Sequence, residues 1–163
     1  MSPTGHLAFG FMAKHFAPKT SIFVLLIAAY LIDILYFIFR IFGIETADFS
    51  PWSHSLIMAL IWTLLTFGIF LLITKNIKSS LVVGIVVFSH WILDFLVWNN
   101  LPIGFNKENT IGLGFYNKIG FDLSAVKFDL ATIIATVLEL ALLAFGLFIY
   151  IRTRRNLRKI TNA

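Results

Sequence analysis

Two ionisable side chains interrupt the apolar stretch VVFSHWILDFLVW, Val86 to Trp98, and their spacing suits joint chemistry. His90 and Asp94 stand four residues apart, which on a helix puts them on one face, one turn from each other. Two ligands at that spacing can hold one metal ion; the same pair can also hydrogen-bond each other or a neighbouring helix as packing contacts. Asp33, Glu139, His6 and His54 are further ionisable groups set in or beside strongly apolar sequence. A dry site with two or three carboxylates and two or three imidazoles must neutralise several carboxylates or take up a cation, because isolated buried charges cost too much. Imidazole and carboxylate donors suit Zn²⁺ first, with Mn²⁺ or Fe²⁺ as alternatives. The chain has no cysteine, so disulfides and thiolate ligands are excluded.

The elements that must position these groups are membrane helices. Hydrophobic residues make up 59% of the chain and charged residues 13%, against about 45–50% and about 25% in soluble domains. Four segments reach the roughly 20 residues needed to cross a hydrocarbon core: about Thr20 to Phe42, His54 to Thr74, Ser80 to Trp98 and Leu130 to Ile151. None alternates with period two, so helices are expected and barrel strands are not. The first is too long for a signal-peptide core, carries Asp33 and has no small-residue cleavage site after it. The expected fold is therefore all-α: one membrane domain over residues 1–163, a polytopic bundle of four transmembrane helices. Gly5 to Pro18 is apolar but too short to span. It reads as a short N-terminal helix packed antiparallel to the first span, with an amphipathic surface helix as the competing reading.

Charge places the ends. Lys14, Lys19, Lys75, Lys78 and the tail cluster Arg152, Arg154, Arg155, Arg158 and Lys159 share one side, and Glu45 and Asp48 fall on the other. By the positive-inside rule both termini are expected in the cytoplasm, and the connection Asn99 to Asp129 outside as a flap. The formal charge of +5 is concentrated in that tail, which suits anionic lipid rather than nucleic acid.

At about 1.5 Å per residue, Asp33 lies roughly 20 Å up its span, His90 roughly 15 Å, Asp94 roughly 21 Å and Glu139 roughly 18 Å. His6 reaches that layer if the N-terminal helix packs as expected, and His54 would cap it from outside. His15 falls near the cytoplasmic turn and reads as interfacial. Ser53 and Ser55 flank His54 and suit capping of the second span or hydrogen bonding behind the ligands. The tryptophans, tyrosines and the 18 phenylalanines read mainly as interface-belt and lipid-facing residues.

PTGHL, LIDIL, SPWSHSL and SHWILD, in that order, resemble the membrane-bound metal-dependent hydrolase family, the YdjM-like group, distantly related to zinc-dependent phospholipase C-like proteins. IGLGFYN and LELALLAFGLFIYI resemble the C-terminal part of one bacterial branch, so the likeness covers nearly the whole chain. It implies metal-ligand roles for His6, Asp33, His54, His90 and Asp94, and a bacterial inner membrane. Glu139 matches an acidic position of that branch. Many relatives carry a His-Arg pair where this chain has Phe49 and Ser50, and some have further ligands where it has Trp98 and Asn100. Those differences favour one ion over two.

The functional expectation is an integral membrane hydrolase in which one metal ion activates water against a lipid or lipid-linked phosphoester or ester. Glu139 or Asp33 would act as general base. The alternative is a non-enzymatic membrane protein that uses the same cluster to bind or transport a metal ion or protons.

Overall fold

The computed structural model describes residues 3–120 and 130–161; the part of the expected flap with Asp122, Lys127 and Asp129 lies outside the described residues. The chain forms α1 (Pro3–Ala13), α2 (Ile22–Ile41), α3 (Pro51–His54), α4 (Leu56–Thr74), α5 (Ile77–Val97), β1 (Leu101–Pro102), β2 (Thr110–Ile111), α6 (Phe115–Lys118) and α7 (Leu130–Thr161). Helices α2, α4, α5 and α7 are long and apolar enough to cross a membrane. The protein is an all-α membrane bundle whose only described sheet is the two-stranded antiparallel ribbon β1–β2.

Helix α5 is the most buried of the four and runs through the centre. Small residues let its neighbours close on it: a Cβ at Gly84 would meet Phe67 Cβ of α4 at 3.2 Å, the close approach typical of membrane helix pairs. Leu25, Ala28, Ala29 and Ile32 of α2 pack with Val83, Val86, Val87 and Trp91 of α5 to make the main apolar core.

Helix α1 is a wedge inside the bundle. It runs antiparallel to α2, with Gly10 against the Leu25 backbone and His6 beside Tyr30. Its most extensive packing is against α7, to which it lies parallel: Thr4 meets Glu139, Phe11 meets Tyr150 and His15 meets Thr153. A Cβ at Gly146 would stand 2.7 Å from the Ala8 carbonyl oxygen, so only glycine allows this approach.

Element ends differ from the expected ones for local reasons. The second span starts at Leu56, not His54, because Ser55 is extended and its Oγ caps α4 by accepting the Met58 N–H at 3.2 Å. His54 belongs instead to the separate turn α3. Asn76 caps α5 by accepting the Ser79 N–H at 3.0 Å, which starts that helix at Ile77 rather than Ser80. Helix α7 continues past Ile151 through the basic tail; its long unbranched arginines and lysine are good helix formers.

Candidate metal centre

Four elements bring five side chains together. His6 comes from α1, Asp33 from α2, His54 from α3, and His90 and Asp94 from successive turns of α5. Two overlapping groups among them could hold a metal ion, His6–Asp33–His90 and His54–His90–Asp94, each with its donor atoms within 4.8 Å of one another.

The distances around the centre are narrow in range. His90 Nε2 lies 3.4 Å from Asp33 Oδ1 and 3.5 Å from Asp94 Oδ2. His54 Nε2 lies 3.4 Å from that Asp33 oxygen and 3.6 Å from that Asp94 oxygen. A tetrahedral site with metal–ligand distances of about 2.0–2.2 Å has neighbouring ligand atoms about 3.3–3.6 Å apart. The four nitrogen–oxygen separations between His54, His90, Asp33 and Asp94 fall in that range. His6 Nε2 faces the other Asp94 oxygen at 3.6 Å, and its ring stacks on His90 with centroids 3.7 Å apart and planes 8° from parallel.

These contacts are not hydrogen bonds. His90 Nε2 is buried and has no hydrogen-bond partner among the described residues, although two carboxylate oxygens lie within 3.5 Å. An unpartnered buried nitrogen beside two carboxylate oxygens suits a metal ligand, and such an orphaned atom is costly otherwise. Charge points the same way. Two carboxylates with three neutral imidazoles carry two negative charges, and doubly protonating the stacked His6–His90 pair would set two cations face to face. A divalent cation compensates that charge without protonating either ring.

Each imidazole is held from behind. His90 Nδ1–H donates to the Ala29 carbonyl oxygen at 2.9 Å, leaving Nε2 unprotonated toward the centre. Behind His54 stands a chain that ends in a carboxylate. Ser53 Oγ–H donates to Glu45 Oε2 at 2.7 Å, the Ser53 N–H donates to Glu45 Oε1 at 2.8 Å, and Ser53 Oγ lies 2.8 Å from His54 Nδ1. The hydroxyl proton is committed to Glu45, so the oxygen accepts Nδ1–H and His54 presents its Nε2 lone pair. This is the outer hydrogen bonding that orients histidine metal ligands. The Trp91 indole N–H donates to the His54 carbonyl oxygen at 2.9 Å and fixes the turn itself.

Sequence reasoning treated Glu45 only as an outer charge. It is buried at 4% exposure, and the available signal was its position just before SPWSH. The left-handed Gly43 ends α2, and the backbone doubles back through Ile44 N–H to the Phe39 carbonyl oxygen, carrying Glu45 under α3. Ser55 caps α4, and Ser53 stands behind His54.

Glu139 lies elsewhere. It belongs to neither group that could hold an ion. Its Oε2 accepts the Thr4 hydroxyl at 2.8 Å and its Oε1 the Tyr116 hydroxyl at 2.7 Å. Burial, and then the bond to Glu139, raise the Tyr116 phenol above its ordinary range, so it keeps its proton and remains a donor. His15 is exposed and pairs with Thr153 at the α1–α2 turn.

Among the described residues the centre is most open at Asp33 and His54. The Asp33 side chain is 24% exposed and that of His54 12%, whereas His6, His90 and Asp94 are at 5% or below. No family model, curated protein or solved structure matches the chain.

Proposed function

We propose that this protein is a membrane-embedded metal-dependent hydrolase of the YdjM-like group, acting on a lipid or lipid-linked phosphoester. The observation that carries the reading is the convergence of His54, His90, Asp33 and Asp94, whose four N–O separations lie between 3.4 and 3.6 Å within two overlapping groups able to hold an ion. One ion fits better than two, because both candidate groups depend on His90, whose Nδ1 is committed to Ala29. Zinc is the first choice for a tetrahedral two-His, two-carboxylate set. When bound, such an ion supplies Lewis acidity to a phosphoryl or carbonyl oxygen and makes water acidic near neutral pH.

The chain's own residues do the rest. His54 and His90 are locked in one tautomer by Ser53 and Ala29. Asp33 turns Oδ1 toward His54 and His90, and its second oxygen, on the most accessible carboxylate of the centre, would take a proton from water arriving at the opening. Glu139, with both oxygens engaged by hydroxyls, holds α1 and α6 to α7. A buried centre among apolar helices that opens at Asp33 favours a substrate arriving from the bilayer.

A bacterial inner membrane with the tail on the cytoplasmic side follows from the same reading. It is supported by the cations of the α1–α2 turn, the α4–α5 turn and the α7 extension. The basic extension suits anionic lipid headgroups.

The test is phosphate or headgroup release from phospholipids in neutral detergent micelles by the purified chain. Release should stop on chelation, return on adding Zn²⁺, Mn²⁺ or Fe²⁺, and fall by about 10²–10⁴-fold in Asp33→Asn. Release that survives chelation, or none from phosphomonoester and phosphodiester lipids by metal-loaded protein, would overturn the reading.

A further inference from the structure

Asp33 opens a stripe along one face of α2: Tyr36 and Phe37 follow one turn later, and Arg40 two turns later. The Tyr36 ring meets the His54 ring edge-on, with centroids 5.4 Å apart. Arg40 donates Nη1–H to the Tyr36 hydroxyl at 3.0 Å, and its guanidinium carbon lies 5.7 Å from the ring centroid. Since Asp33 and His54 are the accessible members of the metal centre, Tyr36 and Arg40 stand at its opening. Tyr36, Phe37, Arg40 and Ile41 line a shallow hollow beside it.

Arg40 is also out of place by the charge pattern. Of the five arginines, four lie in the α7 extension, and Arg40 alone sits at the far end of a span. The positive-inside rule gives no reason for a cation there. One bond to Tyr36 leaves most of the guanidinium's five N–H groups available, in the planar fork that matches phosphate. Phe37 and Ile41, which share the hollow with the pair, are exposed, a surface for acyl or isoprenoid chains rather than for water.

We propose that Tyr36 and Arg40 form the headgroup-recognition site of the metal centre, binding the phosphate of an anionic lipid whose chains lie along the exposed apolar residues of α2. This rests on the hydrolase reading. It places the phosphate about 10 Å or less from Asp33 along the helix axis, the rise over seven residues. A second pair supplies an internal control. Arg154 donates to the Tyr150 hydroxyl at 3.3 Å and lies 5.9 Å from that ring, with the same four-residue spacing. That pair packs near Phe11, away from the opening.

The experiment measures binding of dioctanoyl phosphatidic acid, dioctanoylglycerol and inorganic phosphate to the full chain in neutral detergent. Wild type is compared with Arg40→Gln and Arg154→Gln. Wild type should bind the phosphatidic acid at least about tenfold more tightly than either other probe, and Arg40→Gln should remove that preference. Arg154→Gln removes one of five cations from a tail that attracts anionic lipid as a group, so it should lower phosphatidic acid affinity by no more than about twofold and leave the preference over inorganic phosphate intact. Equal losses in the two variants would make the effect general attraction to anionic lipid and overturn the proposal. So would an Arg40→Gln protein that binds like wild type, or inorganic phosphate binding as tightly as the lipid. Because no turnover is needed, an Arg40-dependent preference in a protein that hydrolyses nothing would uphold this site while removing the hydrolase. Hydrolysis with no Arg40 effect would do the reverse.

Discussion

Helix α1 contributes to two buried polar clusters, and they are built on opposite principles. Thr4 helps close the Glu139 cluster, where each carboxylate oxygen takes a hydroxyl proton at 2.7–2.8 Å. Two residues later, His6 enters the cluster of Asp33, His54, His90 and Asp94, where nitrogens and oxygens face one another at 3.4–3.6 Å without hydrogen-bond alignment. The carboxylate of the first cluster is met by protein donors. In the second, imidazole nitrogens and carboxylate oxygens face one another without hydrogen-bond alignment, and three of these residues at a time could hold a metal ion. Equal depth in the membrane therefore does not imply equal function: what separates the clusters is whether the donors point at the acceptors.

The comparison can be broken first at Glu45. In Glu45→Gln the side chains that could hold an ion remain, but the charge that fixes the Ser53–His54 chain is gone. Metal affinity, measured by competition with a chelator, should fall about 10–100-fold. An unchanged affinity would mean that the chain behind His54 does not orient it.

A smaller effect is expected between the clusters, at the contact that seats α1. Gly146→Ala places a Cβ 2.7 Å from the Ala8 carbonyl oxygen, an overpacking cost of about 1–3 kcal/mol. Pushing α1 off α7 withdraws His6, so metal affinity should drop by about tenfold and the thermal midpoint should fall with it. Retained affinity would show that His6 adds little to the centre.

The smallest effect on metal belongs to the Glu139 cluster. Tyr116→Phe removes one donor from a buried carboxylate and should cost about 1–3 kcal/mol of stability, seen as a lower thermal midpoint in detergent. Metal content should not change. A Tyr116→Phe protein that loses its metal would join the two clusters and remove the distinction drawn between them.

What could be seen in the sequence follows from the range of each signal. The four spans are runs of apolar residues and are legible locally, and the His90–Asp94 face is fixed by a four-residue spacing within one helix. The depth of Asp33 needs only counting from the end of its span. Glu45 was hidden because its role depends on how a short loop doubles back after Gly43, which periodicity does not record. The partners of Glu139 were hidden for a different reason. Tyr116 comes from the connection before α7 and Thr4 from the far end of the chain. Only the parallel packing of α1 on α7, permitted by Gly146, brings Thr4 there.

The central claim is that the second cluster holds one divalent ion. Metal analysis of the purified chain, wild type beside the His90→Ala/Asp94→Ala double variant, tests it directly. Wild type should carry about one equivalent of a divalent metal and the double variant only background, since each substitution removes a ligand of the same ion. Wild type holding no more metal than the double variant would contradict the account.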